Sequence, residues 1–143
     1  MYEYKYEEFL DDLDLFCKSL GRYKPDVILA IARGGVTFGH FLSEKLNLRE
    51  LYTLNSVHYN DTIKLETIEL FNIPKIDDNL RVLVVDDIVD SGDTMTEVMR
   101  TLRDLYPKSE FKSGVLFYKE DASYKPDFKV KIAKEWIRFF WNI

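Results

Sequence analysis

From Val84 to Met95 the chain reads Val-Val-Asp-Asp-Ile-Val-Asp-Ser-Gly-Asp-Thr-Met, setting four carboxylates, a glycine and two hydroxyls directly behind an apolar stretch. A turn that leads into a helix exposes unpaired backbone N–H groups and the positive end of the helix dipole, which together suit a phosphate monoester. Ser91, Gly92 and Thr94 add small size, close backbone approach and hydroxyl donors. Asp86, Asp87 and Asp90 would repel a bare phosphate. They make chemical sense when a divalent cation and polyol hydroxyls lie between the carboxylates and the phosphate groups. A single acid here would read as a helix cap, the role open to Asp90, Ser91 or Asp93. Four acids grouped with a glycine and two hydroxyls point instead to a ligand that is both phosphorylated and hydroxylated.

These residues need a scaffold that holds the turn open. Arg81–Val85 is β-branched and apolar on both faces, the composition of a central strand in a parallel sheet. Met95, Val98, Met99, Leu102 and Leu105 then keep helical spacing until Tyr106-Pro107 stops it. Upstream, Phe9, Leu10, Leu13, Phe16, Cys17 and Leu20 define an amphipathic helix over 6–20, which Gly21 ends. Val27–Ile31 is a short apolar strand that meets Arg33-Gly34-Gly35 and a helical pattern running to Leu46. Further strands are expected at 51–57, 68–73 and 113–118, with residues 58–67 forming a mobile loop or loose hairpin. Strands alternating with helices predict an α/β fold, an open and mostly parallel sheet flanked by helices on both faces. Ligands of such sheets bind beyond the carboxyl ends of the strands, where both glycine turns fall.

The 143 residues are 46% apolar, enough for one core and short for two, so a single domain over 1–143 is expected. The net charge of −5 argues against nucleic acid as a partner, because neutralising a phosphate backbone requires a basic surface. One cysteine, Cys17, cannot form an intramolecular disulfide and reads as a packed residue. The first eight residues lack the apolar stretch of a signal peptide, and no apolar run approaches the roughly 18–20 residues that span a bilayer. A cytoplasmic protein without a membrane partner is therefore expected.

The run Val84–Thr94 resembles the phosphoribosyl pyrophosphate signature of the type I phosphoribosyltransferases: apolar residues, two acids, two apolar residues, then acid-hydroxyl-Gly-x-Thr. The resemblance implies that Asp86 and Asp87 hold the ribose hydroxyls and the shell of a Mg2+ ion. It also implies that Asp90 to Thr94 cradle the 5-phosphate, and that Asp90 faces purine N7 as a proton acceptor. Asp93 stands where the family usually has a second glycine, so its side chain is expected to point outward.

Other segments extend the likeness. Ala32-Arg33-Gly34-Gly35 resembles the family's pyrophosphate loop, and Ser56-Val57-His58-Tyr59 resembles the start of its mobile catalytic loop. By that likeness Ser56 and Tyr59 contact pyrophosphate, Lys64 could clamp it, and His58 is filler. Lys119, Trp136 and Ile137 resemble the small purine-binding hood of the 6-oxopurine branch. There Lys119 would donate to O6, Trp136 would stack on the ring and the Ile137 carbonyl would meet a group at C2. The end of the chain, Arg138-Phe139-Phe140-Trp141-Asn142-Ile143, departs from the family pattern, which often places a proline between aromatics. So dense an apolar tail is expected to pack on the core or on a second subunit. The implied enzyme joins guanine, xanthine or hypoxanthine to phosphoribosyl pyrophosphate, working as a dimer or tetramer. Two readings stay beside it: a phosphoribosyltransferase for another base, and a non-catalytic regulator that keeps the phosphoribosyl pyrophosphate site.

Overall fold

A computed structural model describes residues 1–59 and 67–143. In chain order it contains β1 (Tyr2–Tyr4), α1 (Tyr6–Ser19), β2 (Val27–Ala32), α2 (Val36–Lys45), β3 (Leu51–Tyr59), β4 (Thr67–Phe71), β5 (Arg81–Val89), α3 (Asp93–Leu105), β6 (Glu110–Tyr118), β7 (Lys131–Ile132) and β8 (Ile137–Phe139). One sheet has the order β4-β3-β2-β5-β6-β7. Only the β3–β4 pair is antiparallel. This is the open, mostly parallel arrangement expected from the alternation of strands and helices.

The central strands are apolar on both faces because helices cover both. Ile28, Ala30, Leu83 and Val85 pack in one core with Phe9 and Phe16 of α1 and Phe38 and Leu42 of α2. Their neighbours Val27, Leu29, Ile31, Val82 and Val84 face the other way, into a core with Val98, Met99 and Leu102 of α3. The period of two along each strand thus sorts consecutive residues into separate layers.

Three expectations are corrected. First, β5 runs on to Val89, because Ile88 and Val89 continue the ladder opposite Phe117 and Tyr118. Asp86 and Asp87 therefore lie inside the strand rather than after it. Second, His58 and Tyr59 are strand residues, paired with Ile68 and Thr67 of β4. The remainder of the stretch expected to be a loop or loose hairpin, residues 60–66 with Lys64 among them, lies outside the described residues. Third, β1 and β8 form a separate parallel pair, Tyr2 to Tyr4 opposite Ile137 to Phe139. Three-residue strands carry too little periodicity to be read from sequence, and each of these depends on a partner at the far end of the chain.

A polar clamp fastens β1 of this second sheet, and β7 of the first, to α1. Lys131 reaches Glu8 at 2.7 Å and Asp12 at 3.0 Å, while the hydroxyl of Tyr4 donates to Asp12 at 2.7 Å. Burial disfavours the Lys131 ammonium, yet its hydrogen bonds to Glu8 and Asp12 hold its pKa above the ordinary lysine value. The C-terminal tail packs on the same core: Phe139 is buried, and Trp141 lies half-buried against it. Cys17 is also half-buried against this core, and burial raises its thiol pKa. Among the described residues no helix is long and apolar enough to cross a membrane.

Candidate active site

The carboxyl ends of β3, β5 and β6 converge on two adjoining hollows that share Asp87, Ile88 and Asp90. The smaller, of about 390 Å³, is floored by the run from Asp86 to Thr94 and touched by His58. The larger, of about 860 Å³, adds Lys119, Trp136, Ile137 and Asn142. Its size is within the range of small-molecule pockets and ample for a flat bicyclic base.

At the smaller hollow, Gly92 is the N-cap of α3, with φ +98°, and no side chain caps that helix. Ser91 takes a neighbouring role, its hydroxyl oxygen accepting the Asp93 N–H at 3.2 Å. The backbone at Gly92 is held from outside, since a β-carbon there would lie 2.6 Å from the Tyr124 nitrogen. Ser123 reinforces the contact: its N–H and its hydroxyl both donate to the Ser91 carbonyl, at 2.8 and 2.9 Å. The loop is thus braced by Ser123 and Tyr124, which sequence reasoning missed. Small polar residues in a loop carry no signal of which distant turn they will meet. The Asp93 side chain is exposed and lines an outer groove with Thr96 and Glu97 rather than the hollow.

Asp86 and Asp87 are half-buried and adjacent, and the Asp87 N–H donates to Asp86 Oδ1 at 2.8 Å. Burial, followed by the charge of Asp87, pushes the Asp86 carboxyl well above the usual carboxylate range. Burial also raises Asp87, against hydrogen bonds that favour its charged form. Two carboxylates kept charged in this setting call for a positive partner. Among the described residues no group of three or more His, Cys, Asp or Glu side chains could hold a metal ion. The pair instead fits magnesium, which characteristically takes one or two carboxylates and completes its shell with water and substrate phosphates.

The glycine turn packs directly on this pair. A β-carbon on Gly34 would stand 2.6 Å from Asp87 Oδ2, and one on Gly35 would stand 2.7 Å from the Val85 carbonyl oxygen. Only glycine admits so close an approach. Arg33 is exposed beside it, and the Ala32–Arg33 peptide bond is cis. Ser56 follows Asn55, the β3 partner of Ala32, and so stands next to the turn. Tyr59 is 51% exposed further along β3 and lines neither hollow.

At the boundary between the hollows, Lys119 Nζ meets Asp90 Oδ1 at 2.6 Å. The hydrogen bond to Asp90 raises the lysine pKa, which keeps Lys119 charged at neutral pH. The Lys119 N–H donates to the Val89 carbonyl, which holds the lysine at the end of β5. Trp136 is 73% exposed on the wall of the larger hollow, with its ring outside the core. Its carbonyl accepts the Tyr2 N–H at 2.8 Å, so β1 fixes the turn that presents the ring. Ile137 is buried behind it. The structure therefore gathers Asp86, Asp87, Asp90, Ser91, Gly92 and Thr94 at one hollow and Lys119, Trp136 and Ile137 at the other.

Comparison with known proteins adds independent findings. Residues 10–143 match the family model described as the phosphoribosyl transferase domain. A xanthine-guanine phosphoribosyltransferase of Idiomarina loihiensis is 30% identical over 120 residues, 81% of this chain and 70% of that protein. Among solved structures, the xanthine-guanine-hypoxanthine phosphoribosyltransferase of Helicobacter pylori superposes with a TM-score of 0.93 at 41% identity, covering 99% of this chain and 94% of that one. A purine phosphoribosyltransferase of Pyrococcus horikoshii gives 0.86 at 29% identity over the same shares.

Proposed function

Because this chain belongs to the phosphoribosyl transferase family, we propose that it is a purine-salvage enzyme carrying the phosphoribosyl group of phosphoribosyl pyrophosphate to N9 of a 6-oxopurine. The observation that carries this reading is the Asp90–Lys119 pair at 2.6 Å, lying where a loop built for phosphate meets a hollow walled by an exposed tryptophan. An acceptor and a cationic donor side by side match N7–H and O6, neighbours on one edge of a 6-oxopurine. The adenine amine would present a donor to the lysine instead.

In this reading the 5-phosphate sits on the backbone N–H groups and hydroxyls of residues 90–94. The ribose hydroxyls face Asp86 and Asp87. Arg33, Gly34 and Gly35 receive the pyrophosphate, with Ser56 beside them and with Tyr59 and Lys64 as further contacts. Trp136 stacks on the base, Lys119 donates to O6, and the Ile137 carbonyl reads the group at C2. Magnesium held at Asp86 and Asp87 with the substrate would neutralise charge on the leaving pyrophosphate. As N9 bonds to ribose C1, the C1–O bond breaks with its electron pair passing to pyrophosphate, and the N7 proton passes to Asp90. No covalent enzyme intermediate is needed, since alignment of the two substrates supplies much of the acceleration. The enzyme acts as a single domain over 1–143, in the cytoplasm, and as a dimer or tetramer; these three statements rest on the family resemblance and the sequence.

Purified protein with phosphoribosyl pyrophosphate and magnesium, offered guanine, xanthine, hypoxanthine, adenine, uracil and orotate separately, tests the reading by chromatography of the nucleotide products. Turnover confined to 6-oxopurines is expected, reduced on the order of 10²-fold or more in Asp90→Asn. Turnover of adenine or a pyrimidine would overturn the base assignment, and no turnover with any base would favour a regulator.

A further inference from the structure

His58 and Tyr59 are neighbours in sequence, and the strand sends them to opposite faces of the sheet. Earlier in β3, Tyr52 and Leu54 pack in the core beneath α3, whereas Leu51 packs in the core beneath α1 and α2. The period of two along a strand carries that division forward, so His58 projects on the α3 side and Tyr59 on the other. The ladder holds both in register, His58 opposite Ile68 and Tyr59 opposite Thr67. His58 accordingly lines the smaller hollow together with Asp90, Ser91, Gly92 and Thr94. It also borders the outer groove with Asp93, Thr96 and Glu97, which places it beside the first turn of α3. The family likeness leaves His58 as filler, yet it is His58, and not Tyr59, that reaches this hollow. The hollow has need of it. Asp86, Asp87 and Asp90 bring three carboxylates to the wall, and among the described residues lining it His58 carries the only side-chain nitrogen.

We infer that His58 is a substrate-binding residue, its imidazole donating an N–H to the 5-phosphate cradled by the turn from Asp90 to Thr94. This rests on the proposed function, which puts that phosphate in the smaller hollow. Imidazole keeps at least one N–H donor in either protonation state, so the contact depends on no particular charge. A donor to a phosphate oxygen makes a charge-assisted hydrogen bond, roughly twice as strong as one between neutral groups. Two elements then share the phosphate: α3 supplies backbone N–H groups and hydroxyls, and β3 supplies the imidazole. The pyrophosphate, received at the Arg33 to Gly35 turn, is not a partner of His58, and this difference separates the inference from a general effect on the site.

The test compares wild type with His58→Ala and with His58→Gln, which keeps a side-chain N–H donor. His58 is exposed, so neither variant should change the melting temperature appreciably. Loss of one hydrogen bond to a charged group predicts a calorimetric Kd for phosphoribosyl pyrophosphate with magnesium about tenfold higher in His58→Ala. His58→Gln should recover part of that loss. The KM for the base and the inhibition constant of inorganic pyrophosphate should stay at their wild-type values. An unchanged Kd, or a pyrophosphate constant that weakens as much as the Kd, would overturn the inference. A second measurement uses the wild-type protein alone. The chain has two histidines, His40 and His58, and their imidazole C–H resonances are told apart with His40→Gln. Ribose 5-phosphate must shift the His58 resonance while ribose leaves it in place; a resonance indifferent to both sinks the idea. Wild-type protein that shows this shift but turns over no base would refute the proposed function and still leave His58 on a phosphate.

Discussion

At the end proposed to bind phosphate, neighbouring residues from the last part of β5 through the turn to the start of α3, Asp86 to Thr94, supply carboxylates, hydroxyls and helix N–H groups together. At the base end, Lys119, Trp136 and Ile137 come from the end of β6 and a late turn, and β1 holds that turn from the other end of the chain. The first is a local construction, in which backbone conformation does most of the positioning. The second depends on long-range pairing, a partly buried cation and aromatic packing. Damage should therefore spread differently: altering the loop should cost both stability and phosphate binding, whereas trimming the hood should affect one or the other.

Gly92→Val is the harshest test of the local half. A β-branched residue at φ +98°, with its β-carbon 2.6 Å from the Tyr124 nitrogen, is expected to cost about 3 kcal/mol. Denaturant titration should show the loss, accompanied by a large rise in the KM for phosphoribosyl pyrophosphate. Lys131→Met probes the clamp behind the hood. It leaves Asp12, only 3% exposed, without its cation. An expected loss of about 2 kcal/mol allows for the partial exposure of Lys131 and Glu8. Urea unfolding that matched wild type would remove the clamp from the account.

Trp136→Ala separates the two ends most cleanly. The ring is 73% exposed, so the melting temperature should hardly change, while the KM for the base rises about tenfold through the lost stacking. A rise in the KM for phosphoribosyl pyrophosphate instead would erase the division between the halves. The smallest effect is expected from Asp86→Asn, and in ligand-free protein it should be stabilising. The folded-state pKa of Asp86 lies above its unfolded value of about 3.9, so folding favours the protonated form. The penalty is therefore absent below that unfolded value and grows as pH rises through the elevated folded pKa. The substitution is expected to raise the stability of the ligand-free protein slightly at pH 7 and to flatten the decline of wild-type stability with pH. Thermal melts from pH 4 to 8 would check both.

The same contrast explains what could be read from sequence. The phosphate loop was legible because its chemistry and its flanking strand and helix are contiguous, and Asp86, Asp87 and the Ser91–Thr94 run needed no tertiary information. The extension of β5 past Asp87 was not legible, because it follows from pairing with Phe117 and Tyr118 rather than from local composition. Trp136 was separable from a core tryptophan only through the resemblance, since its exposure depends on the Tyr2–Trp136 backbone bond. Ser123 and Tyr124, which brace Gly92, left no trace in their neighbours. Their parts arise from where the chain returns in space.

The pairing of β1 with β8 also orders events during synthesis. Residues 2–4 leave the ribosome long before residues 137–139 exist, so the first strand must wait, unpaired, for nearly the whole chain. The phosphate loop, flanked by β5 and α3, can fold while translation continues. The wall for the base closes only at the end, through the slowest kind of contact to form, one that spans the greatest separation in sequence. A nascent chain halted after β6 would lack that wall entirely and could not yet select a base.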